Sequence, residues 1–328
     1  MPPDAIIFGR SAAMRAVRDR IERIAAAQVP LLIYGESGTG KEVIAKLLHQ
    51  RSPCQDAPFV KVHCPAIPGT LLESELFGYE KGAFTGAWGM KPGRVEMANR
   101  GTLFLDEIAE LDPALQAKLL QLLQDGQFSR IGGREDRHVE LRVICATNRD
   151  LADEIRKGTF RADLFYRINV VSVHLAPLRD RADDIPDLVD YFLHQYAGEF
   201  GCSVPDTSPR VRLMLQRFDW PGNIRQLENL MKRLVILGSE DAILSELPLP
   251  RPEPGRGSNG SPSLKQLTRR AVQDLEREII LKALQAHNWN RKESARALKI
   301  SYRALLYKIK EAGLPSKRMS VLPDALER

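Results

Sequence analysis

Five short apolar runs, at residues 31–34, 59–62, 102–105, 141–144 and 170–173, set the rhythm of the first half of the chain. They are continuous rather than alternating, as in Leu31-Leu32-Ile33-Tyr34, which predicts strands of a parallel sheet buried on both faces by helices. Amphipathic segments lie between them, and from residue 183 to 247 the pattern becomes helical throughout, predicting a small helical lid. Residues 250–263 hold no apolar side chain other than proline and read as a flexible linker. Beyond it, Ser263 with Gln266 forms a capping box for a helix whose stripe is Leu267, Ala271, Leu275, Ile279 and Ala283. Asn290 with Glu293 opens a short helix burying Ala295 and Leu298, and Ser301 caps a third from Tyr302 to Ala312, stopped by Gly313. Two short helices after a longer one predict a helix-turn-helix, its last helix entering a DNA major groove.

Composition sharpens this picture. With 328 residues, 43% hydrophobic and 27% charged, the chain has the makeup of a globular protein with two or three domains. No apolar run approaches the roughly 20 residues of a membrane helix, and no basic-then-apolar leader opens the sequence. Cys54, Cys64, Cys145 and Cys202 are scattered without metal-ligand spacing, predicting reduced, mostly buried thiols in a cytoplasmic protein. The net charge of +6 is uneven: residues 264–328 hold 15 basic and 7 acidic side chains, an excess of +8 that leaves −2 for the rest. The C-terminal piece alone is therefore expected to meet nucleic acid.

Gly35, Glu36, Ser37, Gly38, Thr39, Gly40 and Lys41 follow the first strand and open a helix. Such a loop wraps phosphates with backbone N–H groups, adds the positive end of a helix, and lets Lys41 reach the β/γ-phosphates of ATP. The usual Ser or Thr after the lysine is Glu42, so no hydroxyl is available there for Mg²⁺. Asp106 and Glu107 end the apolar run at 102–105, placing Asp106 to hold Mg²⁺ and Glu107 to polarise the attacking water.

Gly82, Ala83, Phe84, Thr85, Gly86 and Ala87 make poor helix or strand and read as the tip of a mobile loop presenting a ring and a hydroxyl. Alone, the hexapeptide could equally be a turn that buries Phe84. Embedded after Glu73-Ser74-Glu75-Leu76-Phe77-Gly78 in an ATPase core, it resembles the central domain of the sigma-54-dependent (NtrC-like) transcription activators, and the C-terminal segment resembles their Fis-type domain. The resemblance covers 6–248 and 264–313. It implies a AAA+ P-loop three-layer sandwich with a helical lid, followed by a small all-α helix-turn-helix. The expected divisions are 1–175, 176–249, 250–263, 264–314 and a tail at 315–328. In this family the Gly-Glu-Ser-Gly-Thr-Gly-Lys-Glu form is usual, and the 82–87 loop engages the sigma factor. By the same resemblance Asn148 is the sensor I residue, Arg225 the sensor II residue, and Arg161 and Arg167 act across the interface of a ring, typically a hexamer. Tyr302, Arg303, Leu306 and Tyr307 could face bases, with Lys308 and Lys310 nearer phosphates.

The implied activity is ATP hydrolysis coupled to remodelling of the closed sigma-54 RNA polymerase complex from upstream enhancer DNA. Two other readings remain: a non-catalytic DNA-binding regulator on a AAA+ scaffold, and a AAA+ motor acting on DNA itself. The family's N-terminal regulatory domain is missing from this sequence, which implies either control by a separate protein or a truncated chain. His63 occupies a position usually held by Asn, which pairs with the glutamate matching Glu107. An imidazole there can become a cation near neutral pH and is expected to restrain Glu107 in a pH-dependent way.

Overall fold

A computed structural model describes residues 1–67, 69–240, 280, 283, 284, 287, 290–298, 302 and 305, in two compact units, Met1–Glu253 and Pro254–Arg328. In the first unit, helices α1 (Asp4–Phe8) and α2 (Ala12–Ile24) precede strand β1 (Leu31–Tyr34) and α3 (Lys41–Gln50). Then come β2 (Phe59–His63), α4 (Gly69–Phe77), the small strands β3 (Gly78–Tyr79) and β4 (Lys91–Pro92), α5 (Arg94–Met97) and β5 (Thr102–Asp106). Helix α6 (Pro113–Asp125) leads through the β6 (Gln127–Ser129) and β7 (Asp136–His138) ribbon to β8 (Arg142–Thr147), α7 (Leu151–Arg156), α8 (Ala162–Ile168) and β9 (Val171–His174). A 3-10 segment, Leu178–Asp184, enters the lid helices α9 (Ile185–Phe200), α10 (Pro209–Arg217) and α11 (Asn223–Leu237).

The central sheet is parallel, in the order β2-β5-β8-β1-β9. Successive strand residues point to opposite faces, and the packing follows that period. Leu31, Ile33, Phe104, Ile144 and Ala146 pack with α2 and α3 residues such as Ile21 and Ile44. Leu32, Leu103, Leu105, Val143 and Cys145 pack with Leu76, Leu119 and Leu164 from α4, α6 and α8. This is the three-layer α/β sandwich expected from the continuous apolar runs. The lid has its own core around Trp220, fully buried, whose indole N–H donates to Leu215 O at 2.8 Å.

Helix limits follow local chemistry. Asp112 caps α6 through a 2.8 Å bond from the Leu115 N–H, Pro113 occupies its first turn, and Gly126 ends it in the left-handed conformation (φ 67°). Of the four thiols, Cys64 and Cys145 are buried, Cys54 is half-buried and Cys202 is exposed, all free.

In the second unit a helix, α12 (Arg291–Ala297), follows Asn290 as the Asn290/Glu293 pattern predicts. Ile280, Leu284, Ala295 and Leu305 are buried and Leu298 is half-buried, while the buried Ser294 hydroxyl donates to Ala283 O and Asn290 O at 3.2 and 2.9 Å. The expected linker at 250–263 and the tail at 315–328 lie outside the described residues.

Candidate functional site

Residues 35–40 join β1 to α3, which Lys41 opens, with Gly38 and Gly40 at φ 78° and 99°, conformations that a side chain would strain. Residues Ser37 to Glu42 line a cavity of about 680 Å³ together with Asp106, Glu107 and Arg225. Its other walls include apolar side chains, Ile6 and Ile7 from the N-terminal segment and Leu188, Tyr191 and Phe192 from α9, beside the polar Lys61, His63, Gln195 and Glu228. A cavity with anion donors at one end and apolar side chains at the other fits a phosphorylated ligand carrying a flat base. The N-terminal segment is pinned over it by buried Asp184, which accepts from the Arg10 and Ser11 N–H groups and the Ser11 hydroxyl at 2.6, 2.8 and 2.8 Å.

Lys41 is 6% exposed; its ammonium donates to Gly35 O at 2.9 Å, Glu36 O at 3.4 Å and Glu107 Oε1 at 3.1 Å. Glu107 sits just past β5 in the left-handed region (φ 57°, ψ 56°), a strained conformation typical of functional positions. Its second oxygen accepts from the Asn148 N–H at 3.0 Å. Glu42 bonds Lys46 at 2.8 Å and Lys61 at 2.5 Å. Burial works against its ionisation, yet those two ammonium groups together hold its carboxyl below the usual range.

His63 does not meet Glu107, contrary to expectation. Its Nδ1 lies 3.0 Å from Asp106 Oδ2. The reason is register: His63 and Asp106 are direct partners across β2 and β5, so their side chains share a face, whereas Glu107 has left the strand. The pH-dependent restraint of Glu107 therefore has no basis in this geometry.

Asp106 offers hard carboxylate oxygen at the cavity wall, the donor chemistry Mg²⁺ takes when phosphate oxygens and water complete its shell. Among the described residues no group of three or more His, Cys, Asp or Glu side chains could hold a metal by itself. The donor set thus fits an ion that arrives with a phosphorylated ligand.

The lid reaches the same loop. The Arg225 guanidinium lies 3.4 Å from the Ser37 hydroxyl, and Arg179 grips Glu36 with bonds of 2.9 and 2.6 Å. Asn223, fully buried, gives its amide to Glu36 Oε2 at 3.1 Å and Ser37 O at 3.0 Å. Arg179 first, and Asn223 after it, hold the Glu36 carboxyl below the ordinary carboxylate range. Sequence reasoning missed Asn223, Arg179 and Arg181. Asn223 stands two residues before Arg225, but nothing in the sequence links it to a glutamate 187 positions away.

Other expected residues lie apart. Asn148 lines a neighbouring cavity of about 480 Å³ with Gly35 and Glu36, and reaches Glu107 through its backbone N–H. Arg161 and Arg167 stand on and beside α8, outside the described wall of the main cavity. Arg161 is exposed and paired with Asp163 at 2.7 Å; Arg167 donates twice to Leu123 O, at 3.1 and 2.8 Å.

The 82–87 loop projects from the β3–β4 ribbon. Gly82 and Gly86 take φ 83° and 103°, the Gly82 N–H bonds Ala87 O at 2.9 Å, and a β-carbon on either glycine would meet open space. Phe84 remains 44% exposed, edge-on to Tyr79 at 4.9 Å, so the ring is presented rather than buried. Sequence reasoning also missed Trp88, which is 89% exposed beside the loop. At the loop's base the buried Arg130 guanidinium holds Glu80 at 3.0 Å and Glu96 at 2.7 Å.

Of the expected DNA-contacting residues, Tyr302 is exposed; Arg303, Leu306, Tyr307, Lys308 and Lys310 lie outside the described residues. Among the described residues no helix is long and apolar enough to cross a membrane.

Comparison with known proteins gives this architecture a family. Residues 7–174 match the sigma-54 interaction domain, 179–252 the AAA+ ATPase lid domain, and 271–311 the bacterial regulatory protein, Fis family. The response regulator protein PilR of Pseudomonas aeruginosa is 40% identical over 315 residues, covering 95% of this chain and 71% of that protein. The regulatory protein AtoC of Escherichia coli is 45% identical over 312 residues, covering 94% and 68%. Crystallised NtrX from Brucella abortus in complex with ATP superposes with a TM-score of 0.70 at 34% identity, covering 94% of this chain and 69% of that one. The chain belongs to the sigma-54-dependent transcription activators, with a AAA+ ATPase domain, its lid and a Fis-type DNA-binding domain.

Proposed function

We propose that the chain binds ATP in the 680 Å³ cavity, hydrolyses it, and uses the cycle to convert closed sigma-54 RNA polymerase promoter complexes into open ones. The observation that carries this reading is the meeting of Lys41, Asp106 and Glu107 in one cavity, with the Phe84-Thr85 tip presented on a separate ribbon of the same domain. A binding scaffold without chemistry would not need a strained carboxylate aimed at the phosphate-binding lysine.

In this account the loop at 35–41 receives the phosphates on its N–H groups, and the adenine lies against Ile7 and Tyr191. Asp106 would hold Mg²⁺, which when bound offsets charge on the phosphate oxygens. Phosphate draws Lys41 from Glu107, freeing that carboxylate to polarise water. Arg161 and Arg167 supply positive charge to the site of the next subunit in a ring, typically a hexamer; Arg225 reports nucleotide state to the lid. The 82–87 loop engages the sigma factor, and the C-terminal unit holds upstream enhancer DNA. The partner polymerase sets the reaction in the cytoplasm, under control of a regulatory domain or a separate protein.

The test is purified protein with sigma-54 holoenzyme on a supercoiled promoter. ATP should yield heparin-resistant open complexes, and a non-hydrolysable analogue should not. Open complexes formed equally without hydrolysis would overturn the proposal.

A further inference from the structure

Three successive carbonyls of the phosphate-binding loop are held from the lid side. Ser37 O accepts from Asn223 Nδ2 at 3.0 Å, Gly38 O from the Arg225 N–H at 3.4 Å, and Thr39 O from Arg181 Nη2 at 3.0 Å. Across a planar trans peptide the carbonyl and the N–H point in opposite directions, and no described peptide bond is cis. Holding Ser37 O and Thr39 O on the lid therefore turns the Gly38 and Gly40 N–H groups away from those donors, where they serve an anion. The approach is close enough to exclude a side chain: a β-carbon on Gly38 would sit 2.4 Å from Gly222 O.

Asn223 is the centre of this clamp. Its Oδ1 accepts from the Leu178 N–H at 2.7 Å, tying it to the start of the lid, while its Nδ2 spans Glu36 Oε2 and Ser37 O. The side chain does not cap its own helix, and the backbone stands at φ 53°, a conformation that Asn tolerates better than most residues. A side chain with two donors and an acceptor is what this position consumes. Aspartate has nearly the same shape but would set a second carboxylate against Glu36.

We propose that Asn223 is a positioning residue for the triphosphate site, its amide fixing the loop peptides so that their N–H groups are set for phosphate before nucleotide arrives. The inference rests on reading the cavity as an ATP site. It adds that the lid, rather than the loop's glycines alone, sets the donor geometry.

The experiment compares wild type, N223D and the double variant N223D/E36Q as full-length chains. Hydrogen exchange of residues 36–40 is read without nucleotide, and ATP affinity by calorimetry. N223D should speed exchange of the loop at least 10-fold while β8 stays protected, and weaken ATP binding at least 10-fold. N223D/E36Q should recover little of either, because an amide at position 36 can meet the carboxylate introduced on the lid while Ser37 O still has no donor. Unchanged loop exchange in N223D, or wild-type exchange in the double variant, overturns the proposal. If N223D loosens β8 as well, N223G removes the side chain while keeping the left-handed backbone. It should loosen the loop alone, and equal loosening of loop and sheet overturns the proposal. A wild type that binds no ATP refutes the nucleotide reading, while the exchange comparison still decides the clamp.

Discussion

Lys41 and Glu107 are locked together across the cavity, with Nζ 3.1 Å from Oε1 and side chains only 6% and 16% exposed. Each is the other's countercharge in a poorly solvated place, where losing one partner is costly. A triphosphate entering the loop competes for the same ammonium, so binding and release of the carboxylate become one event. Glu107→Gln should therefore keep or tighten ATP binding, since a neutral amide holds Lys41 less firmly. Hydrolysis should fall about 10²-fold or more, the usual scale of a lost general base. Calorimetric affinity with phosphate-release kinetics checks both, and hydrolysis within a few-fold of wild type would remove Glu107 from the chemistry.

His49 gives the fold a pH dependence of its own. It stands in the last turn of α3 with its ring buried, Nδ1 2.9 Å from Thr102 Oγ1, and burial chiefly pushes its pKa below the usual histidine value. As pH falls past about 6.5 the unfolded chain takes up the proton before the folded one does. The stability linked to His49 is thus fully present above that pH and is lost as pH drops through the folded value. Thermal midpoints at pH 7.5 and 5.5 should separate more in wild type than in His49→Gln. Equal separations would show that His49 is not the titrating group.

DNA binding should be strongly salt-dependent, and the dependence should reside in residues 264–328, where the +8 excess lies. Lys308→Ala and Lys310→Ala in the full chain should each reduce the slope of log affinity against log salt by about 1, without altering which sequence is preferred. Unchanged slopes would place the phosphate contacts elsewhere.

The sheet, the phosphate loop and the carboxylate pair were legible because each depends on local pattern. Leu103-Phe104-Leu105 can hardly be other than a buried strand, and the glycines around Lys41 serve a backbone geometry. What escaped was set by register and by long-range approach. His63 was expected on Glu107, but strand pairing puts it opposite Asp106. Asn223 opens α11, yet its amide serves a loop reached only when the lid folds back. Trp88 went unnoticed because exposure of a single ring is a property of the fold, not of its neighbours in sequence.

The most direct measurement of the central claim is Thr85→Ala, assayed in parallel for ATP hydrolysis and for open-complex formation on a sigma-54 promoter. Thr85 sits on a loop whose glycines face open space, while Lys41 and Glu107 work inside the cavity. Hydrolysis within about two-fold of wild type with open complexes abolished is the predicted result, as for a contact made outside the chemistry. Hydrolysis and activation falling in proportion would contradict it, by making the loop part of the catalytic fold.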